Sequence, residues 1–207
     1  MGRKKSLVYG VGVNDADYVT GEKDTVTGRW WRCPFYRKWQ SMLERCYSEK
    51  YQEKYPTYIG CSVCDEWLVF SVFKEWMESQ DWKGKCLDKD LLDSENKEYN
   101  PNKCVFVSNA LNVFTTDSGR ARGEYMIGVC FHKATKRFAS QCCNPITKKQ
   151  EHLGLFTSEL EAHLKWKARK LEIVDELMCA GYIEDIRIYN NLKDKYSQDN
   201  WTEGKVS

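Results

Sequence analysis

The chain has 207 residues, 42% hydrophobic and 14% aromatic, with a formal net charge of +2. That length suits one ordinary domain or two small ones, and the apolar content excludes wholesale disorder. No apolar run reaches the roughly 18 residues of a membrane span. The ten cysteines follow a charged start without an apolar leader, so a reduced intracellular protein is expected rather than a secreted disulfide scaffold.

Residues 1–34 are polar and rich in Gly and Asp. They read as an arm that packs late, with Trp30, Trp31 and Phe35 as its anchors. The GVGVND run at 10–15 lacks the strand and helix that a dinucleotide fingerprint needs. Over 35–50, Tyr36, Trp39, Leu43, Cys46 and Tyr47 recur at helical spacing. Pro56 and Gly60 mark a turn. Residues 65–79 read as a second helix, apolar nearly all round and therefore buried.

From Cys86 to Asn112 the sequence is CLDKDLLDSENKEYNPNKCVFVSNALN. Asp88 and Asp90 flank Lys89, a polar loop with a Tyr-Asn-Pro turn follows, and 104–107 reads as a strand. A helix is expected from Ser108, with Asn112 one turn in. Residues 115–125 are rich in Gly, Arg and Ser, as a linker is. Three strands are then expected at 126–131, 137–142 and 150–156, joined by Lys-rich turns. Thr157 is expected to cap a helix over 158–179, and 183–195 reads as a further short helix.

Charge is unevenly placed: 118–170 holds eleven Lys/Arg against four Glu, whereas 65–98 carries an acidic excess. A basic module beside an acidic one points to nucleic-acid contact on one part only. On an antiparallel strand alternate residues share a face, so Arg137, Ala139 and Gln141 point together. Arg and Gln read guanine and adenine edges, while lysines in turns hold phosphates. Arg120, Arg122, Lys133, Lys136, Arg137, Gln141, Lys148 and Lys149 are the candidate DNA contacts.

Asp88 and Asn112 are the candidate ligands of a hard cation, Mg²⁺ or Mn²⁺, which keeps several waters and needs few protein oxygens. Phosphodiester cleavage also requires a base to activate water. Lys89 serves only if burial depresses its pKa, and Asp90 is placed to hold metal or orient water. The alternative is an L-D-x-D turn that caps a strand and holds no metal. Cys61 and Cys64 with Cys86 and Cys104 offer four thiolates for a structural Zn²⁺, although the second pair is split; the alternative is packing beside Trp67. His132, His152 and His163 read as surface or packing residues.

The runs YRKWQSMLERCY, YIGCSVCDEWLVFSVFKEWM, LDKDLL and EYNPNKCVFVS, with Asn112, resemble a family of bacteriophage HNH-type (homing) endonucleases. These often carry a C-terminal AP2-like DNA-binding domain, and IGVCFHKATKRFASQCC with KKQEHLGLFTSELEAHLKWKARK looks like that module. The resemblance covers roughly 35–175. It implies an α+β chain: an arm (1–34), a helical segment leading into a ββα-metal core (35–116), a linker (117–125), a three-stranded antiparallel sheet on one helix (126–182) and an extension (183–207). By the same resemblance Asp88 is a metal ligand and Asn112 the helix ligand. Lys89 stands where the general-base His belongs. Lys103 stands where a loop Asn orients that base, with Asn102 beside it as a substitute. The implied activity is metal-dependent cleavage or nicking of duplex DNA in the cytoplasm of an infected bacterium. The alternatives are a catalytically degenerate DNA-binding or counter-defence protein, or a module whose exposed Trp30, Trp31 and Trp82 engage a host protein.

Overall fold

Aromatic residues on successive helical turns dictate the first half of the molecule. The computed structural model describes residues 6–116 and 124–198, and the chain divides into two units, Met1–Val107 and Ser108–Ser207. It is mixed α+β, built from helices and small sheets. Among the described residues no helix is long and apolar enough to cross a membrane.

In the first unit, helix α1 (Pro34–Tyr47) begins with proline at its first position, where the missing N–H costs nothing. Its apolar stripe, Trp39, Met42, Leu43 and Cys46, is buried. A short helix α2 (Glu49–Lys54) follows, capped by the Ser48 side chain. The expected single helix over 65–79 is in fact two pieces. A 3₁₀ turn (Asp65–Leu68) and helix α3 (Phe70–Glu78) are separated by Val69, which is extended (φ −96°, ψ 123°). A bridge between Val13 and Val69 explains the break, because Val13 N–H donates to Leu68 O and Phe70 N–H to Val13 O.

The N-terminal segment packs into this core. Val8, Tyr9, Val11 and Ala16 pack on the buried cluster of Trp39, Trp67, Phe70 and Phe73. Gly12 lies so close to Leu43 and Trp39 that a Cβ would collide with both. Trp30 and Trp31, the expected anchors, are instead exposed, on a hairpin of β1 (Gly21–Lys23) and β2 (Trp30–Arg32). At the centre Trp39 is fully buried and its Nε1–H donates to Trp67 O at 2.7 Å. Burying Phe70 and Phe73 adds about 2–3 kcal/mol each before chain entropy is counted.

Two two-stranded pairs complete this unit. Strand β3 (Ser62–Val63) runs parallel to β5 (Glu98–Tyr99), and β4 (Lys85–Asp88) pairs with β6 (Val105–Ser108).

The second unit holds helix α4 (Asn109–Thr115), strands β7 (Val129–His132), β8 (Arg137–Asn144) and β9 (Lys149–Phe156), and helices α5 (Glu159–Cys179) and α6 (Ile186–Ser197). The strands form one antiparallel sheet in the order β7-β8-β9, which packs on α5. Ser158 rather than Thr157 caps α5, in a capping box with Glu161. The segment read as a C-terminal extension packs as α6 against α5, burying Ile188, Leu192 and Tyr196. The divide between the units falls after Val107, ahead of the linker expected at 117–125, because α4 belongs to the α5–α6 core. There the Lys170 ammonium sits 3.6 Å from the Phe114 ring centroid and donates to Phe114 O at 2.7 Å, with Trp166 and Tyr196 around it.

Candidate functional site

The Asp88–Asn112 stretch resolves into bonds that tie the loop to itself. Asp88, at the end of β4, accepts from the backbone N–H groups of Asp90 and Leu91, both at 2.8 Å through Oδ1. This is the side-chain turn that Asp forms readily. Burial, and then the charge of Asp90, push its carboxyl above the ordinary value, against the pull of those N–H groups and Lys89.

Lys89 points inward and is only 4% exposed. Its ammonium is paired with Asp90 Oδ1, donates to Asn96 O at 3.0 Å and lies 5.9 Å from the Tyr99 ring centroid. Asn96 returns the bond, its Nδ2 donating to Lys89 O at 2.9 Å and to Glu98 O at 2.7 Å. Burial lowers the lysine pKa, but the hydrogen bond and charge of Asp90 outweigh it and the net shift is upward. A base at this position would need the opposite shift. Lys89 is a positively charged staple across the 90–96 loop. Asn96 was not singled out from the sequence, which gave no sign that the chain turns back over Lys89.

Asn102 is exposed, and its N–H, like that of Lys103, is held by Asn100 Oδ1 at 3.0 Å. Lys103 pairs with Asp93 at 3.1 Å. Asn112 lies on α4 in the second unit, where its carbonyl accepts from the hydroxyls of Thr115 and Thr116. Within the first unit Asp88 Oδ1 is committed to the turn, and Asp90 is paired with Lys89. Among the described residues no three His, Cys, Asp or Glu gather as metal ligands. The zinc candidates Cys61, Cys64, Cys86 and Cys104 form no disulfide, and Cys61 and Cys104 are buried. Burial pushes the Cys104 thiol up to about 12.

An open groove of about 880 Å³ in this unit is walled by Trp67 and Trp76 and carries Asp65, Glu66, Glu75 and Glu98. No Lys or Arg lines it. A phosphate backbone is repelled from such a surface.

The β7–β9 sheet is built the other way. Cys142 and Asn144 turn towards α5: burial pushes the Cys142 thiol up to about 11, with the Lys170 charge opposing, and Asn144 Nδ2 donates to Glu176 at 3.4 Å. Arg137, Ala139, Gln141 and Cys143 therefore share the opposite, outer face. Register adds Cys130 and His132 from β7, opposite Ala139 and Arg137, and Gln150 and His152 from β9, opposite Cys143 and Gln141. Gln150 Nε2 donates to Gln141 Oε1 at 3.4 Å. None of these outer-face residues is a carboxylate. His132, His152 and Gln150 thus join the candidate interface through their pairing with β8. His163 is a packing residue: it is buried, bonded to Ile127 O at 2.9 Å and stacked on Trp166.

Lys133, Lys136, Arg137, Lys148 and Lys149 are all exposed, and none forms an ion pair among the described residues. Arg169, on the α5 side, is instead paired with Glu151, Glu172 and Glu176 at 2.6–3.0 Å. Lys136 and Lys148 both sit in the left-handed region (φ 52° and 57°), each just before the next strand. Glycine is the inexpensive residue there. Lys149 pairs with Asn144 and so leans to the α5 side of the sheet rather than to the Gln141 face. Arg120 and Arg122 lie outside the described residues. No protein-family model, curated protein or solved structure matches the chain.

Proposed function

We propose that this chain is a duplex-DNA-binding protein that contacts DNA through the outer face of the β7–β9 sheet, in the manner of an AP2-like module. The observation that carries the reading is a contrast within this unit: Arg169, on the α5 side, is paired with Glu151, Glu172 and Glu176, while Arg137 on the outer face and Lys133, Lys136 and Lys148 in the turns form no ion pair among the described residues. Arg137 and Gln141 are the base-reading candidates, Gln150, His132 and His152 their neighbours, and Lys133, Lys136 and Lys148 the phosphate contacts. The first unit, HNH-like in its motifs, serves as a scaffold rather than a cutting site, because its lysine is held charged and its Asp88 supports a turn. This is the catalytically degenerate reading of a phage HNH-type protein, with the cytoplasm of an infected bacterium as its setting.

Anisotropy titration of a labelled duplex across a salt series tests it. A linear loss of log affinity with log salt is expected, with a shallower slope in Lys136→Gln. Identical duplex affinity in wild type and in an Arg137→Ala, Gln141→Ala double variant would sink the assignment. Supercoiled plasmid incubated with Mg²⁺ or Mn²⁺ is expected to stay intact; nicking abolished by Asp88→Ala would restore the endonuclease reading.

A further inference from the structure

On the β1–β2 hairpin large aromatics stand in solvent beside cations that form no ion pair among the described residues. Trp30 is 65% exposed and Trp31 54%, in the run Arg29-Trp30-Trp31-Arg32. The two tryptophans point to opposite faces because strand side chains alternate. Pairing makes those faces chemically different. Lys23 is opposite Trp30 and Gly21 opposite Arg32, so one face carries Trp30, Lys23 and Arg32. Glu22 is opposite Trp31, placing a carboxylate on the other face. Lys23 and Arg32 form no ion pair among the described residues, and Arg32 only reaches Gln40 Oε1 at 3.4 Å. The hairpin is also held in place. Cys33 at its base is buried, and its N–H donates to Thr20 O at 2.9 Å. At its tip Asp24 accepts from the N–H groups of Val26 and Thr27.

We infer that the Trp30 face is a binding site for single-stranded DNA, with an unpaired base stacked on the Trp30 indole and flanking phosphates held by Lys23 and Arg32. An exposed indole between two cations on a rigid strand is the arrangement that single strands favour: the ring accepts any base and the charges follow the backbone. The Trp31 face, with its Glu22, disfavours phosphate. The three side chains offer no acceptor to a 2′-hydroxyl, so that contact adds nothing for RNA. The inference does not rest on the duplex-binding sheet, which lies in the other unit.

The test is anisotropy of fluorescein-labelled dT20 with the full chain at low salt. Trp30→Ala is expected to raise Kd roughly 5- to 100-fold. A Lys23→Gln, Arg32→Gln double variant is expected to flatten the salt dependence, and Trp31→Ala to change Kd less than about 3-fold. All four substituted positions are exposed, so unchanged far-UV circular dichroism verifies folding. An unchanged Kd in Trp30→Ala overturns the inference. Equal losses in Trp30→Ala and Trp31→Ala overturn it in favour of a hairpin that docks protein, and tighter binding of rU20 than dT20 overturns it in favour of RNA.

Discussion

The two units use the same residue types for opposite ends. In the first, Lys89 and Asn96 turn inward and spend their hydrogen bonds on each other's backbone. In the second, Lys136, Arg137, Gln141 and Lys148 turn outward, and two of the lysines occupy backbone that L-residues adopt at a cost. Buried polar groups must be satisfied or they destabilise, so inward lysines and asparagines are read first as structure. Outward cations without partners, kept where glycine would be easier, are read first as function. The difference shows that a catalytic-looking motif cannot be judged from residue types and spacing alone: the direction of the side chain decides.

Substitutions can break or sharpen that contrast. The largest effect is expected for Gly128→Ala. Gly128 has φ 79°, and a Cβ would run into Cβ, Cγ and Cδ1 of Trp166. A loss of more than about 4 kcal/mol is expected, unfolding the second unit. Hydrogen exchange that still protects first-unit amides would show that the units melt separately.

Lys89→His comes next. As a staple, Lys89 is expected to cost about 2–4 kcal/mol on replacement, read by urea unfolding. No plasmid nicking is expected to appear; nicking gained with Mg²⁺ would mean that only the base was missing. Arg137→Ala is expected to lower duplex affinity by about 1–3 kcal/mol with an unchanged Tm.

The paired substitution Lys136→Gly, Lys148→Gly is expected to move two measurements in opposite directions. Relief of the left-handed backbone adds about 0.5–1 kcal/mol per site, whereas duplex affinity falls. A fall in both would mean that the lysines support the fold.

The smallest effect is expected for Asp88→Asn. A carboxyl whose folded pKa lies above its unfolded value adds stability fully only below the unfolded pKa and loses it as pH rises through the folded one. Near pH 7 the buried charge of Asp88 is therefore a burden, and Asn keeps the Oδ1 acceptor. Thermal melting near neutral pH is expected to show Tm unchanged or a few degrees higher. A large drop would mean that the charge itself is required.

The sequence made some of this plain and hid the rest for definite reasons. The shared face of Arg137, Ala139 and Gln141 was legible because β8 runs without interruption. The exact partners on β9 were not, since the ladder passes from Ser140–Gly154 to Gln141–His152 and skips Leu153. The helix over 159–179 was legible from its apolar spacing, and its cap was misplaced by one residue although Ser158 and Glu161 spell the capping box. The integration of residues 8–16 was illegible because it depends on Gly12 approaching Trp39 and Leu43, side chains nearly thirty residues away. The role of Lys89 depended on the path of the 90–96 loop, which propensity does not specify.

The position of α4 bears on how the chain can be divided. Phe114 is the floor of the Lys170 cage, and its carbonyl also accepts from the Tyr196 hydroxyl at 3.3 Å. A fragment cut at the glycine- and arginine-rich stretch, where composition invites the scissors, would discard that floor. An expression fragment of the second unit should instead open at Ser108, whose hydroxyl caps α4.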